Sequence, residues 1–241
     1  MSITNKKWLV VKFIPIPFFS LKHSHATSKY GSSHLLPTPY TVKMGVLSAA
    51  FCFNDNQYAR EIFDIIKGLE IQFRPPSEII VNKTLIKVFQ EEKNKQKRLI
   101  TPMVQTVVFR EFVYFSTDIE IAINISILKD QQVNELAKLL PIVRIFGKND
   151  SFFQFSDYQF LDELNKEFSV NGEKIPNKGM IIWVDDFTEK SLKDNDLFEK
   201  VLVYSNKTLT FGPNKDRHLR PKIFPITLKK SGSNFNQYSR I

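Results

Sequence analysis

The sequence contains a single cysteine, Cys52, and no long uninterrupted hydrophobic run. One cysteine excludes an intrachain disulfide and a cysteine-based zinc site, which fits a reducing cytoplasm. The apolar stretch 8–19 is broken by Lys12, Pro15 and Pro17, so it predicts a strand and neither a signal peptide nor a membrane span. The motifs G-x-x-x-x-G-K-[ST], G-x-G-x-x-G and G-x-S-x-G are also absent, which gives the corresponding enzyme classes little support.

Positive charge is concentrated at the two ends of the chain. The 241 residues carry a net charge of +9; six cations precede the first acid, Asp55, and the segment from Lys207 onward carries +7. That leaves −4 for residues 55–206. If the fold brings the ends together, they form a positive face that suits a polyanion. The alternative is a lysine-rich genome that scatters cations over the surface.

The segment 35–50 predicts a buried helix that follows a loop. Thr38 is a suitable N-cap and Pro39 suits the first helical position. The helix is apolar over most of its surface, which is typical of burial, and its small residues would let another backbone or a ligand approach. Those small residues are Thr41, Gly45, Ser48 and Cys52. The helix is therefore either a core helix or one whose N-terminus, after a basic loop, presents N–H groups to an anion.

The remaining pattern predicts an α+β fold. Strands are expected at 7–14, 69–73, 79–89, 103–115 and 151–155, a half-buried strand at 119–127, and helices at 57–67 and from a cap at Asp130 to Pro141. With one extra helix and an enlarged hairpin, this is the ferredoxin-like order, which also underlies many RNA-binding domains. We predict a ferredoxin-like (RRM-like) domain over 1–156 with its hairpin at about 79–115. A mostly-β region packed on it spans 157–241, with strands at 179–184 and 200–204, a possible hairpin at 207–211 and a basic tail at 215–222.

Three polar motifs have alternative interpretations. The run 90–98 predicts a projecting hairpin tip, which is either a solvated loop or an arm that follows phosphates. His23 and His25 have no nearby carboxylate or thiol, so they predict no metal site. Asp185 and Asp186 follow an apolar strand and would be either Mg²⁺ ligands or a strand-end turn, and we favour the turn because neighbouring strand residues point to opposite faces. No cofactor is expected.

The helix segment also carries a family resemblance. After a first strand and a polar loop, the pattern Leu-Pro-x-Pro-x-Thr-Val-x-x-x-Leu-x-x-Ala resembles the N-terminus of the Cas five family of CRISPR-associated proteins, within the RAMP superfamily. The matching residues are Leu36, Pro37, Pro39, Thr41, Val42, Leu47, Ala49 and Ala50. The basic tip 93–98 and the segment 144–150, which looks like the family's Gly-centred turn, agree with it. The resemblance covers about residues 6–156 and departs at Gly45-Val46, where members often carry Gly-Ala.

The resemblance implies a non-catalytic subunit of a type I Cascade surveillance complex. In that family the ferredoxin-like domain holds the 5′ handle of the guide RNA and the hairpin acts as a thumb. The implied partners are the guide RNA, the backbone RAMP subunit and the large subunit, with target DNA contacted only indirectly and no membrane. The predicted RNA contacts are Lys22, His23, His25, Tyr30, Thr38, Tyr40, Lys43, Lys93, Lys95, Lys97, Arg98, Arg217 and Arg220, among which Tyr30 and Tyr40 would stack on bases.

Two other functions stay open on the sequence. Some members of the same family cut the repeat transcript, and Lys22, His23, His25 and Tyr30 have side chains suited to metal-independent endoribonuclease chemistry. A generic protein-interaction domain with a basic surface is the third hypothesis.

Overall fold

The structure, a computed structural model, describes residues 7–16, 18–23, 30–147, 151–172 and 178–241. The strands in these ranges are β1 (Trp8–Pro15), β2 (Tyr30–Gly31), β3 (Ile71–Arg74), β4 (Glu78–Glu91), β5 (Met103–Phe115), β6 (Ile119–Asn124), β7 (Phe153–Leu161), β8 (Val170–Asn171), β9 (Met180–Phe187), β10 (Arg217–Phe224), β11 (Ile226–Ser231) and β12 (Phe235–Arg240). The helices are α1 (Pro39–Phe53), α2 (Asn56–Ile66), α3 (Lys95–Arg98), α4 (Asp130–Leu139), α5 (Glu189–Leu192) and α6 (Leu197–Val201), and a 3₁₀ turn spans Leu140–Ile142. The predicted mixture of helices with mainly antiparallel sheets is confirmed.

A four-stranded sheet in the order β3-β6-β1-β7 forms the centre of the fold, and its neighbours all pair antiparallel. Helices α1 and α2 connect β1 to β3, and α4 lies between β6 and β7. The main apolar core includes residues of this sheet and of all three helices. The predicted cap of α4 is off by one residue, because Lys129 occupies the N-cap position and Asp130 begins the helix.

Strand β6 is buried on both faces, so the prediction of a half-buried strand is wrong. The strand lies between β3 and β1, and its second face packs at Ala122 beside Phe168. Glu120 is buried in the same strand, where its carboxylate accepts a hydrogen bond of 2.6 Å from Arg74 Nη1. The polar residue Glu120 in the alternating sequence of β6 is therefore buried and not exposed. It is tolerated there because Arg74 pairs with it, and a buried carboxylate is stable only when it is paired.

Helix α1 has the predicted cap and the predicted close approach. Thr38 is the N-cap and forms a capping box with Thr41, and Pro39 begins the helix. A Cβ added at Gly45 would lie 3.0 Å from the carbonyl oxygen of Ile145. The small side of the helix thus lets the chain after the 3₁₀ turn pack directly against it, as the sequence predicts.

The long hairpin β4–β5 belongs to a five-stranded sheet in the order β11-β12-β4-β5-β2. The hairpin register runs from Ile79 opposite Phe115 to Glu91 opposite Met103. Its tip is the one-turn helix α3, capped by the Asn94 side chain. On the other side, β12 pairs with β4, so the C-terminal strands extend the sheet that the hairpin begins.

The third sheet, in the order β8-β10-β9, corrects several predictions for the C-terminal region. Residues predicted as a strand at 200–204 instead follow and partly overlap α6, because Phe198 packs its ring 5.6 Å from that of Phe63 on α2. The possible hairpin at 207–211 is not formed; Phe211 makes only an isolated bridge with Arg217. The basic tail becomes β10, which pairs with β9 along its whole length. No helix among the described residues is both long and apolar enough to span a bilayer.

Lys222 joins the third sheet to the first and makes stability depend on pH. Its buried Nζ donates hydrogen bonds to Gln72 Oε1 at 3.0 Å and to Asn171 Oδ1 at 2.7 Å. Burial lowers the pKa of Lys222 to about 8. Because the unfolded chain then holds this proton to higher pH than the folded chain does, the contribution of Lys222 to stability rises as the pH passes above 8.

We predict that the wild-type free energy of unfolding rises relative to that of Lys222→Met by roughly 2 kcal/mol between pH 7.5 and pH 9.5. The loss of donors to Gln72 and Asn171 in the variant adds a constant offset, so the difference between the two pH values is the quantity to compare. Urea unfolding at each pH measures it. A stability difference that does not change with pH would contradict the depressed pKa.

Candidate functional site

A cleft of about 170 Å³ opens at the N-terminus of α1. It is lined by Leu21, Lys22, His34, Thr38, Tyr40, Thr41, Gly147, Asp185 and Arg217. The cleft joins parts of the chain that are far apart in sequence: the loop after β1, the first turn of α1, the turn before β7, and the adjacent strands β9 and β10. Four of the predicted contact residues, Lys22, Thr38, Tyr40 and Arg217, therefore meet at one place.

The first turn of α1 forms one wall of the cleft. Thr38 Oγ1 accepts a hydrogen bond from the Thr41 N–H at 3.2 Å, and the Thr38 carbonyl accepts one from the Val42 N–H at 3.0 Å. Thr38 thus accepts hydrogen bonds from the N–H groups of Thr41 and Val42 but not from that of Tyr40. Gly147 stands opposite with a φ of 88°, and a Cβ there would overlap Leu21 Cδ2. Glycine suits this turn because its positive φ is a conformation that other residues rarely adopt.

Arg217 is the most constrained cation of the cleft. Its Nη1 donates to Asp185 Oδ2 at 2.9 Å, and its guanidinium carbon lies 4.1 Å from the centroid of the Tyr40 ring. The side chains are 17% exposed for Arg217 and 5% for Asp185. Burial raises the pKa of Tyr40, and the Arg217 cation opposes that rise. Among the described lining residues, the cations Lys22 and Arg217 outnumber the one anion, Asp185, which holds the Arg217 guanidinium over the tyrosine ring.

Asp185 and Asp186 do not form the strand-end turn that we favoured, because β9 continues through both to Phe187. Each carboxylate pairs with a cation: Asp185 with Arg217, and Asp186 with Lys43 at 2.7 Å. The acidic pair therefore fixes strand β9 to its neighbours. Long-range pairs of this kind leave no local signal in the sequence.

Lys43 and Arg220 lie outside the lining of the cleft. The Lys43 side chain is only 3% exposed and its Nζ contacts Asp186, so its ammonium group is a buried link between α1 and β9. Burial lowers the pKa of Lys43, and Asp186 opposes that shift. Arg220 Nε donates to His218 Nε2 at 2.7 Å, and its Nη2 donates to the Phe187 carbonyl. Neither cation lines the cleft, and their predicted RNA contacts stay predictions.

The rings of two histidines are in contact at the cleft, at an interplanar angle of 50°. The rings of His23 and His34 have centroids 3.8 Å apart, and His34 is buried. The sequence prediction selected His23 and not His34. His25 lies outside the described residues. The backbone of Tyr30 lies in β2, where it pairs with Phe109 of β5, and its stacking role stays a prediction.

The tip of the hairpin forms a separate basic surface. Lys93, Lys95 and Lys97 are exposed, whereas Arg98 pairs with Glu91. The loop that carries Lys22 contacts the base of the hairpin, where the Ser33 N–H donates to Glu111. Met103 is eight residues from Glu111 along β5, or roughly 27 Å at about 3.4 Å per residue. The structure thus keeps the tip cations together but does not bring them to the cleft.

Five residues of the cleft were missed as site residues: Leu21, His34, Thr41, Gly147 and Asp185. Gly147 is the glycine of the predicted Gly-centred turn, of which residues 148–150 lie outside the described residues, and Thr41 belongs to the helix motif. Both residues belong to motifs that the sequence analysis identified, but those motifs were assigned a structural role. His34 and Asp185 enter the cleft only through tertiary packing.

No protein-family model matches the chain. A curated relative, the CRISPR-associated protein Cas5 of Archaeoglobus fulgidus, is 25% identical over 202 residues, which cover 79% of this chain and 82% of that protein. This relative confirms the resemblance that the sequence predicted.

Three similar solved structures are also CRISPR proteins. A CRISPR protein from Archaeoglobus fulgidus has a TM-score of 0.47 and 14% identity, covering 97% of this chain and 92% of the other. A chain of a CRISPR RNA-guided surveillance complex has a TM-score of 0.44 and 9% identity, covering 89% and 88%. A chain of the Type III-B Cmr-beta complex bound to cognate target RNA has a TM-score of 0.48 and 13% identity, covering 65% and 61%.

Proposed function

We propose that this chain, which is similar to a CRISPR-associated protein Cas5, is a non-catalytic subunit of a type I Cascade surveillance complex. In this role it binds and caps the 5′ handle of the guide RNA and contacts the neighbouring backbone subunit. The observation that carries the proposal is the cleft at the N-terminus of α1, where Lys22, Tyr40 and Arg217 meet the first turn of the helix.

The chemistry of the cleft suits a phosphate of a single strand. Arg217 is already oriented by Asp185 and Tyr40, so little side-chain entropy remains to be lost when it meets an anion. Lys22 adds a second positive charge. The positive end of the α1 dipole and the Tyr40 N–H lie on the same side, where negative charge is favoured.

The fold supports the same role. In chain order, the central strands and their helices run strand, helices, strand, strand, helix, strand, with the sheet order β3-β6-β1-β7. We interpret this as the ferredoxin-like arrangement of a RAMP domain. The projecting hairpin β4–β5 is then the thumb, and its tip offers Leu99 and Ile100 beside the lysines. An amphipathic tip of this kind suits a contact that includes both a protein subunit and the RNA backbone.

The tip lysines provide the first test of this proposal. Exchanging Lys93, Lys95 and Lys97 together for alanine should weaken the retention of guide RNA, because each phosphate contact on a single strand contributes about 0.7 to the slope of log K against log salt. We expect the slope to fall in magnitude by roughly 2. Fluorescence anisotropy of labelled repeat RNA, measured across a salt series, gives the slope.

The matched control removes three exposed lysines elsewhere, Lys129, Lys138 and Lys166, at the start of α4, on α4 and in the loop after β7. It changes the net charge by the same amount, so it should leave the slope close to wild type. Equal slopes for the two triple variants would count against the thumb assignment. A wild-type protein that purifies free of nucleic acid and does not shift short RNA at low salt would favour a generic protein-interaction domain.

The second candidate function is a metal-independent endoribonuclease, which the contact between His23 and His34 at the cleft favours. A histidine near a cation has the chemistry for general acid–base cleavage of RNA. Incubating the wild-type protein with repeat RNA in a chelator separates the two functions. Intact RNA supports the non-catalytic subunit, and cleavage that His23→Ala abolishes would establish the endoribonuclease.

A further inference from the structure

A second cavity, of about 330 Å³, opens on the outer face of the hairpin sheet. It is lined by Phe18, Phe19, Ser20, Asn82 and Phe112. Asn82 on β4 lies directly opposite Phe112 on β5, and Phe19 pairs with Val113 at the edge of β5. Side chains alternate between the faces of paired strands. The register therefore places Phe18 and Ser20 on the face that presents Phe112, while Phe19 turns toward the core.

The walls of this cavity are aromatic and its floor is polar. Phe18 is 50% exposed and its ring lies 5.8 Å from that of Tyr114. Ser20 is only 4% exposed, and its hydroxyl has no hydrogen-bond partner among the described residues. Burying a hydroxyl without a partner is unfavourable, so the Ser20 hydroxyl in the lining of this open cavity is available to bond water or a polar atom of a ligand. The Asn82 amide adds both a donor and an acceptor.

Cations flank the aromatic surface. Arg110 precedes Phe112 by two positions on β5 and lies on the same face. On the other side Phe235 of β12 stands opposite Asn82, and Lys230 Nζ lies 5.8 Å from the centroid of the Phe235 ring. A row of aromatic and amide groups thus has a positive charge near each end.

We propose that this cavity binds one nucleobase of a single-stranded RNA, with the base stacked on Phe18 or Phe112 and its polar edge bonded to Ser20 and Asn82. The neighbouring phosphates then lie toward Arg110 and Lys230. The proposal rests on the RNA-binding function above and adds a second contact outside the cleft. Ser20 and Lys22 are two residues apart in the chain, about 7 Å in an extended segment. The cleft and the cavity are therefore close enough for one single strand to contact both.

A nucleobase explains the lining better than a protein side chain does. An inserted apolar side chain would fill the aromatic walls but would leave the Ser20 hydroxyl without a partner. It would also make no use of Arg110 and Lys230. A base satisfies all three requirements because it has a flat π-face, an edge with donors and acceptors, and a phosphate on each side.

The test compares Phe18→Ala with Phe53→Ala, since both phenylalanines are 50% exposed and Phe53 ends α1 away from the cavity. The probe is a single-stranded repeat RNA carrying 5-bromouridine, with affinity read by anisotropy and photo-crosslinked residues read by mass spectrometry. We expect wild-type crosslinks at Phe18 or Phe112. Phe18→Ala should weaken binding by roughly tenfold, and Phe53→Ala should not.

Ser20→Ala separates a ligand contact from a structural role. It removes a buried hydroxyl that has no partner among the described residues, so its unfolding midpoint should be unchanged or higher. Its base preference at the crosslinked position should nevertheless relax. A lower midpoint together with an unchanged base preference would assign the hydroxyl to folding and overturn this part of the proposal.

The remaining outcomes distinguish the two proposals. If RNA binds with wild-type affinity to Phe18→Ala and crosslinks elsewhere, the cavity proposal is wrong and the RNA-binding function stands. If Phe18→Ala instead weakens only the association with other subunits, the cavity is a protein-docking site. If the wild type binds no RNA, saturation-transfer NMR with the four nucleoside monophosphates tests the cavity by itself. A transfer signal that Phe18→Ala abolishes supports it, and the absence of any signal from the wild type overturns it.

Discussion

Asp186→Ala is expected to lower the free energy of unfolding by about 3 kcal/mol or more. The change leaves the buried Lys43 ammonium without its carboxylate partner. The Lys43 side chain is 3% exposed, and its Nζ lies 2.7 Å from the carboxylate oxygen that is removed. The same Nζ also faces the Phe187 ring, but its distance of 5.8 Å from the ring centroid makes that attraction too weak to compensate for a desolvated charge. Removing one partner of a buried pair is costly because the other charge stays in the interior.

Replacing Lys43 instead of Asp186 should lower the free energy of unfolding much less. In Lys43→Met, Asp186 keeps a 17% exposed side chain and still accepts the Phe187 N–H at 2.9 Å. Its charge therefore remains partly solvated. In the double variant neither member of this pair carries a charge, so its stability should lie close to that of Lys43→Met. Urea unfolding of the four proteins completes the cycle, and equal losses for the two single variants would contradict the asymmetry.

A pH series tests whether the unpaired Lys43 ammonium causes the loss of stability in Asp186→Ala. Burial already lowers the pKa of Lys43, and Asp186 is the group that opposes this shift. Without Asp186 the folded pKa falls further below the unfolded one. A folded lysine that releases its proton before the unfolded chain does gains stability as the pH rises. The difference in free energy of unfolding between wild type and Asp186→Ala should therefore become smaller from pH 7 to pH 9.5. A difference that is constant across this range would point to another cause.

The sequence was sufficient for elements whose cause is local. Helix α1 was predicted from Thr38 and Pro39, which set its start, and from Gly45, which allows the close contact at Ile145. The hairpin strands were predicted from two long β-rich runs on either side of a polar tip, and the tip then formed a one-turn helix because Asn94 caps it. In each case the information lies within a few residues of the feature.

The C-terminal third depended on partners far away in the chain. Strand β12 forms because β4 offers it an edge roughly 150 residues earlier, and α6 forms where Phe198 can pack on α2. A β-rich sequence at 200–204 has strand propensity, but packing on a distant helix overrides it. The same limit applies to the cleft: Lys22, Thr38 and Tyr40 were predicted from local motifs, whereas the burial of Lys43 against Asp186 had no local signal.

We predict that Arg217 provides a phosphate contact in the cleft, and the double variant Arg217→Gln with Asp185→Asn tests the contribution of its charge. Arg217→Gln alone would remove the cation that pairs with the 5% exposed carboxylate of Asp185, so a loss of RNA binding could result from misfolding. Replacing both groups by amides removes the two charges together. It keeps similar volumes and allows a neutral hydrogen bond in place of the 2.9 Å ion pair.

We expect the double variant to fold and to bind repeat RNA roughly tenfold more weakly, because a hydrogen bond from a charged donor to a phosphate contributes about 1.5–3 kcal/mol. The salt slope should fall in magnitude by about 0.7, as for the loss of one phosphate contact. Asp185→Asn alone is the matched control, since it keeps the Arg217 cation over Tyr40 and raises the net charge of the cleft. It should bind RNA as well as or better than wild type. Wild-type affinity and salt slope in a folded double variant would remove Arg217 from the interface and leave it only the structural task of joining β10 to α1.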